Sequence, residues 1–240
     1  MTTLLISDLH LEPGRPEITR LFFEFLDGEA THAQSLYILG DLFEFWIGDD
    51  YEAPPSKAVG QALRTLSDRG TAVFFMHGNR DFLLGDEFAD QAGMTLLPQA
   101  VKLELHGVST LLLHGDSLCT DDVEYQQVRE KVRTQSWQDN FLGQSIEERL
   151  AFANAARDAS RNHTESAAEQ IMDVNQQAVE DVMRHYGVNQ LIHGHTHRPA
   201  VHTLSLAGST AERIVLGDWY EKGSVLRVKT GSFDLAALPI

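Results

Sequence analysis

The chain has 240 residues, 42% of them hydrophobic and 22% charged, which is the profile of an ordinary globular domain with room for an insertion. No apolar run approaches the ~18 residues needed to cross a bilayer, and the first residues lack the basic region and long apolar core of a secretory signal. A formal net charge of −16 argues against whole-surface attraction to nucleic acid, and a single cysteine, Cys119, excludes an internal disulfide and fits a reducing cytoplasm.

Residues 2–7 read as a short apolar strand ending in Asp8-Leu9-His10, and 17–27 carry apolar groups at helical spacing. A second buried strand, 35–39, runs into Gly40-Asp41-Leu42-Phe43-Glu44. After a loop with Asp49, Asp50 and Pro54-Pro55, a helix is expected over 56–69, closed by Gly70. A third strand, 72–77, ends in Gly78-Asn79-Arg80-Asp81, and a further strand, 109–113, leads to His114-Gly115-Asp116. Residues 121–186 break this alternation: they are polar, helix-forming and free of proline, with helices expected over 122–137 and 165–186. A short apolar run at Leu191 and Ile192 then enters His193-Gly194-His195-Thr196-His197-Arg198-Pro199. Alternating segments at 200–206, 213–217, 223–229 and 232–237 read as one antiparallel sheet finishing the core.

Apolar strands that each end in a small residue and a metal-ligating side chain follow the α/β rule, in which ligands gather at the carboxyl ends of sheet strands. Collected, those residues are Asp8, His10, Asp41, Asn79, His114, His195 and His197. They are too many for one zinc and suit two divalent cations sharing a bridging carboxylate. Mixed oxygen and imidazole donors favour Mn²⁺, Fe²⁺, Co²⁺ or Zn²⁺ over Ca²⁺. Such a pair stabilises the attacking and leaving oxygens of an in-line displacement at phosphorus. His195 and His197 stand two apart, so in extended backbone both face one ionic site, and Gly194 permits a sharp turn before them. His32, His77, His106, His163, His185, His193 and His202 have no such partners and read as structural.

These motifs resemble the calcineurin-like metallophosphoesterase family. The wording around them, such as Tyr37-Ile38-Leu39-Gly40-Asp41-Leu42-Phe43-Glu44, His77-Gly78-Asn79-Arg80-Asp81-Phe82 and Leu191-Ile192-His193-Gly194-His195-Thr196-His197-Arg198-Pro199, is similar to the branch that hydrolyses UDP-2,3-diacylglucosamine in lipid A biosynthesis. The resemblance implies a four-layer α/β/β/α sandwich, with a core of 1–120 and 187–240 and a helical lid of 121–186. It implies two Mn²⁺ ions: Asp8, His10, Asp41 and His197 would hold one, and Asp41, Asn79, His114 and His195 the other, with Asp41 as the bridge. Catalytic roles fall on Asn79, Arg80 and His195, and substrate contacts on these three with Asp122, Ser160, Thr164 and Ala167. Relatives often carry Asn and Lys where Thr164 and Ala167 stand, so a contact there is lost or replaced; Arg157 and Arg161 fit that replacement or plain solvated helix surface. The implied reaction is water attack on the α-phosphorus, giving UMP and 2,3-diacylglucosamine 1-phosphate. The implied setting is cytoplasmic, in peripheral contact with the inner membrane, with no nucleic acid and no obligate protein partner. The apolar residues Trp137, Phe141, Leu142, Ile146, Leu150 and Phe152 fit either an acyl-chain chamber or helix packing. Two other readings stay open: a phosphodiesterase of the same fold with another substrate, and a non-catalytic scaffold, which would be expected to have eroded ligands.

Overall fold

Four short parallel strands carry the first half of the chain: β1 (Thr3–Ile6), β2 (Ser35–Ile38), β3 (Ala72–Met76) and β4 (Met94–Leu97), paired in that order. The computed structural model describes residues 2–52, 54–166 and 173–239, with the side chains of 160–166 outside the description. Three helices connect the strands: α1 (Pro16–Asp27), α2 (Ser56–Asp68) and α3 (Asp86–Ala92). Proline at the first position and Glu17 in the first turn favour the start of α1, and Ile18, Leu21, Phe22, Phe25 and Leu26 form its buried face. Because strand side chains alternate, Leu4 and Ile6 enter the core shared with these helices, whereas Leu5 enters a second core.

That second core belongs to another sheet. β5 (Ala100–Leu105) and β6 (Val108–Leu113) form a hairpin, and β6 pairs in parallel with β7 (Gln190–His193). A second hairpin, β8 (Ala200–Leu206) and β9 (Ser209–Val215), adds to β7 through β9. The last hairpin, β10 (Gly223–Lys229) and β11 (Ser232–Leu238), returns to the first sheet beside β1. The expected single antiparallel sheet after residue 200 is therefore two hairpins, one in each sheet. Alternation marks a strand but carries no information on which edge it joins. Helices and sheets stack as four layers, α/β/β/α.

The helical segment also departs from its expected boundaries. A break at Thr134 divides 122–137 into α4 (Val123–Val132) and α5 (Gln135–Leu142), because the Thr134 hydroxyl accepts from the backbone N–H of Trp137 and caps a new helix. Ser145 and Glu148 cap each other at the start of α6 (Ile146–Ser166). Of the helix expected from 165 to 186, residues 167–172 lie outside the described residues and 176–186 form α7 (Gln176–Tyr186), started by the Asn175 side chain accepting from Ala178 N–H. Val179 and Met183 of α7 are buried in the core of the second sheet, so α7 packs with that sheet. No described helix is long and apolar enough to cross a membrane.

Candidate metal centre

Parallel strands place their carboxyl ends at one rim, and β1, β2, β3, β6 and β7 all deliver side chains there. The backbone at this rim is bent into a conformation that side chains resist. Asp8, His10, Asp41, His195 and His197 have φ of 56, 49, 53, 68 and 56°, in the left-handed region. Such residues cost about 1–3 kcal/mol each and persist where the surroundings over-determine them, typically at functional sites. His195 and His197 are thus not extended, and their rings part. His197 joins Asp8 and His10, while the His195 ring lies edge-on to His114 at 5.1 Å. Gly194 also has a different role from the expected turn: a β-carbon there would stand 2.2 Å from Asp8 Oδ2. At Gly78 it would stand 2.0 Å from Asp41 Oδ1. Both glycines let a neighbouring chain approach a carboxylate.

Two groups of donor atoms result, Asp8 with His10 and His197, and Asp8 with Asp41 and His114; in each the donor atoms lie within 4.8 Å of one another. His10 Nε2 and His197 Nε2 face each other at 3.3 Å. Two nitrogens sharing one ion at ~2.1 Å each stand about 3.0–3.4 Å apart, so this spacing fits joint coordination. Asp8 Oδ1 is buried without a hydrogen bond, 3.4 Å from His197 Nε2. Asp41 Oδ2 lies between the groups, 3.8 Å from His10 Nε2 and 3.7 Å from His114 Nε2. Its other oxygen accepts from Arg80 N–H at 2.8 Å. Asn79 Oδ1 stands 3.0 Å from His114 Nε2. The donor set therefore fits divalent cations of the borderline class.

The protonation states suit that use. Burial raises the Asp8 carboxyl, but His197, followed by the charges of His114 and His10, outweighs it and holds the group well below the usual range. Burial pushes His195 down to about 4, leaving a neutral ring at neutral pH. His193, expected to be structural, is fully buried; burial drives it down to about 3, and its Nδ1 lies 2.8 Å from the Gly194 carbonyl.

Several side chains at the rim were not singled out from the sequence. Asp81 accepts from the backbone N–H groups of Leu42 and Gly78 at 2.7 and 2.9 Å, tying two ligand loops together. Asp116 accepts from Arg129 Nε at 2.7 Å and lies 3.6 Å from Arg133 Nη2, while Arg133 also donates to the Gly78 carbonyl. Tyr125 stacks beside His195 with ring centroids 6.0 Å apart. Asp218 and Tyr220 come from the loop between β9 and β10 and lie against His197. A sequence signal for Asp218 did exist: Leu216-Gly217-Asp218 repeats Leu39-Gly40-Asp41 at another strand exit.

A cavity of about 490 Å³ opens beside the rim, lined by the polar Glu44, Asn79 and Arg80 and by the apolar Val128, Trp137, Phe141 and Phe152. Of the six apolar residues expected to line a chamber or pack helices, Trp137, Phe141 and Phe152 line it; Ile146 and Leu150 pack against the first core. Leu142 is exposed and outside the lining. Arg157 also borders the cavity, 3.5 Å from Glu12, with its side chain partly exposed. Asp122 accepts from Tyr125 N–H and caps α4. The side chains of Ser160, Arg161 and Thr164 lie outside the described residues, as does Ala167 altogether.

The model of the family "calcineurin-like phosphoesterase" matches residues 1–199. The chain is 51% identical to a UDP-2,3-diacylglucosamine hydrolase of Stenotrophomonas maltophilia over 245 aligned residues, covering 99% of both chains. It is 51% identical to that of Xanthomonas axonopodis pv. citri, covering 100% of both, and 54% identical to that of Chromohalobacter salexigens, covering 91% of this chain and 89% of the relative. The chain belongs to the UDP-2,3-diacylglucosamine hydrolase family of calcineurin-like phosphoesterases. It is a metal-dependent hydrolase. Membership of the family accounts for why acids, an amide and imidazoles crowd one rim at the expense of backbone strain.

Proposed function

We propose that the chain hydrolyses the pyrophosphate bond of UDP-2,3-diacylglucosamine in lipid A biosynthesis, with two Mn²⁺ ions, releasing UMP and 2,3-diacylglucosamine 1-phosphate. The observation that carries the two-ion reading is the position of Asp41 Oδ2, almost equidistant from His10 Nε2 and His114 Nε2 at 3.8 and 3.7 Å. Asp8, His10, Asp41 and His197 hold one cation; Asp41, Asn79, His114 and His195 hold the other. Bound there, the cations acidify water and stabilise charge on phosphate oxygens. Asn79 adds an oxygen donor without adding negative charge. Arg80, 3.8 Å from Glu44 and bordering the cavity, offers a fork of donors to the pyrophosphate oxygens. His195, neutral and seated between His114 and Tyr125, holds its site without competing for a proton.

The substrate is an amphiphile, and the cavity suits it: a polar end at Asn79 and Arg80, and an apolar wall from α4, α5 and α6. On this reading α4–α6 are the lid, the acyl chains lie against Trp137, Phe141 and Phe152, and Asp122, Ser160, Thr164 and Ala167 meet the remainder of the substrate. A lipid substrate also requires contact with the cytoplasmic face of the inner membrane, through the same helices. The test is product analysis in chelator-treated protein, with and without Mn²⁺, in water labelled with heavy oxygen. UMP should form only with the metal and should carry the label, as attack on the α-phosphorus demands. Label in the lipid phosphate would overturn the attack site. Turnover without metal would overturn the cation assignment. Inactivity on the lipid nucleotide alongside activity on a chromogenic phosphodiester would overturn the substrate.

A further inference from the structure

We propose that the two metal positions are unequal by construction, with Glu44 and Asp218 making the Asp8–His10–His197 position the tighter one. The inference rests on the two-cation reading above and adds residues to it. A histidine ligand binds more strongly when its second nitrogen donates to a carboxylate, which fixes the tautomer and makes the ring more basic. Both histidines of the first position have a carboxylate within ion-pair distance of that nitrogen, without a hydrogen bond at His10 Nδ1. His10 Nδ1 stands 3.1 Å from Glu44 Oε2, and His197 Nδ1 stands 3.3 Å from Asp218 Oδ2. With both Nδ1 atoms protonated toward these acids, the two Nε2 lone pairs would face each other at the 3.3 Å already described.

The second position is built differently. His114 Nδ1 stands 2.8 Å from the Leu39 carbonyl, a neutral acceptor. Asn79 replaces a carboxylate among the donors. Of the acids near His114 beyond the donors, Asp116 is engaged by Arg129 and Arg133, and Asp81 by the backbone N–H groups of Leu42 and Gly78, so their charge is partly offset before it reaches that ion. Glu44 shares its charge with Arg80, but through its other oxygen, Oε1, leaving Oε2 to His10. The first position therefore gathers more negative charge, which favours a cation.

The loop that brings Asp218 is rigidly placed. Trp219 is fully buried, and its backbone N–H donates to the Asp8 carbonyl at 3.0 Å. Arg15 donates to the carbonyls of Trp219 and Tyr220 at 2.7 and 3.0 Å, with its guanidinium over the Tyr220 ring. Tyr220 stacks nearly parallel on His10, at 5.4 Å and 8°. The loop thus holds one ligand ring from its face and the other through its nitrogen. Ion exchange should consequently occur at the Asn79 position while the other stays filled.

Calorimetric titration of metal-free protein with Mn²⁺ tests this. The wild type should bind in two steps, the first at least about tenfold tighter. Asp218→Asn and Glu44→Gln should each weaken the first step by about 10–100-fold and leave the second within error. Asn79→Ala should do the reverse. Asp218→Glu, which restores the charge, should recover part of the first step, a result that misfolding would not produce; thermal melts of the metal-free variants guard the same point. Two equal steps in the wild type would overturn the asymmetry while leaving the two-cation reading intact, whereas a single bound ion or none would sink both. If Asp218→Asn and Glu44→Gln weakened the second step instead, the assignment of the tighter position would be wrong.

Discussion

At the rim, Asp8, His10, Asp41 and His114 are each at most 2% exposed, and their loops are tied by backbone hydrogen bonds to Asp81 and Asp8. Over the cavity, α4 buries none of its residues, and α5 buries only Phe141. Besides apolar contacts of Trp137, Phe141, Ile146 and Leu150 with the first core, α4–α6 are held by polar anchors: Arg133 to the Gly78 carbonyl, Arg129 to Asp116, and Arg149 to Asp50 and the Ile47 carbonyl. The contrast teaches that chemistry and specificity obey different constraints here. Charge placement at phosphorus tolerates little displacement, so the rim stores strain in a tightly packed frame. An apolar chamber needs only volume and greasy walls, so its helices can be loosely attached and chemically plain.

The largest effect should come from removing Asp41, the carboxylate proposed to be shared by two cations. Asp41→Ala takes away a donor 3.7–3.8 Å from a histidine on each side, and the charge stabilisation lost is several kcal/mol. Turnover should fall by about 10³-fold or more. Stopped metal uptake in a titration, with the far-ultraviolet spectrum unchanged, would assign the loss to the ions. Retention of both ions by this variant would contradict the bridge.

Next in size are changes to the chamber, which should separate the two regions. Phe152→Asp places a charge on the cavity wall and forfeits about 1.5–3 kcal/mol of apolar contact, so KM for the diacyl substrate should rise about 10–100-fold. A small soluble phosphodiester should be hydrolysed as before. Leu142→Asp, outside the lining, should change neither number. Equal losses for both variants, or on both substrates, would mean that these residues serve helix packing alone.

Smaller again is the cost of filling a close approach at the rim. Gly78→Ala drives a β-carbon to within 2.0 Å of Asp41 Oδ1, so the loop must shift. We expect about 1–3 kcal/mol of destabilisation, read by denaturant melts of the metal-free protein, with a loss of activity larger than that stability change explains. A variant with wild-type melting and turnover would show that the rim is more compliant than its φ angles suggest.

The convergence of Asp8, His10, Asp41 and His114 at the rim was legible in the sequence because each follows an apolar strand, in a residue type able to hold a metal. The misreadings have physical causes. The turn assigned to Gly194 is in fact clearance for Asp8, a long-range contact that no local pattern contains. Asp81 and Asp116 act through the backbone or through another side chain, so their spacing carries no coordination signature, whereas Asp218 is marked by the repeated Leu-Gly-Asp. Of the insertion's helices, those over 122–137 and 165–186 were expected but α6 (Ile146–Ser166), lying mostly between them, was not, and Thr134 ends one helix and starts the next by capping, a signal weaker than periodicity in a polar stretch. The seven-residue α3 is too short for a helical repeat to register.

The smallest expected effect concerns how the insertion is anchored. Arg149, 2% exposed, donates to the Ile47 carbonyl and to both oxygens of Asp50, joining α6 to the loop after β2. Arg149→Met keeps much of the stem packing but leaves that carbonyl unpaired, at about 1–3 kcal/mol. Part of the loss should depend on pH. The Arg149 hydrogen bond holds the Asp50 carboxyl below its usual value, so the pair stabilises the fold above the ordinary aspartate range and ceases to do so as pH falls through the lower folded value. Since the Asp50 side chain is 60% exposed, this part should stay below about 1 kcal/mol. Melts of both metal-free proteins from about pH 7 to about pH 3 should therefore converge slightly at the acid end without meeting. A gap that stays constant to the lowest pH would assign the anchor to the Ile47 carbonyl alone, and a gap that widens would mean that Asp50 is not the partner that matters.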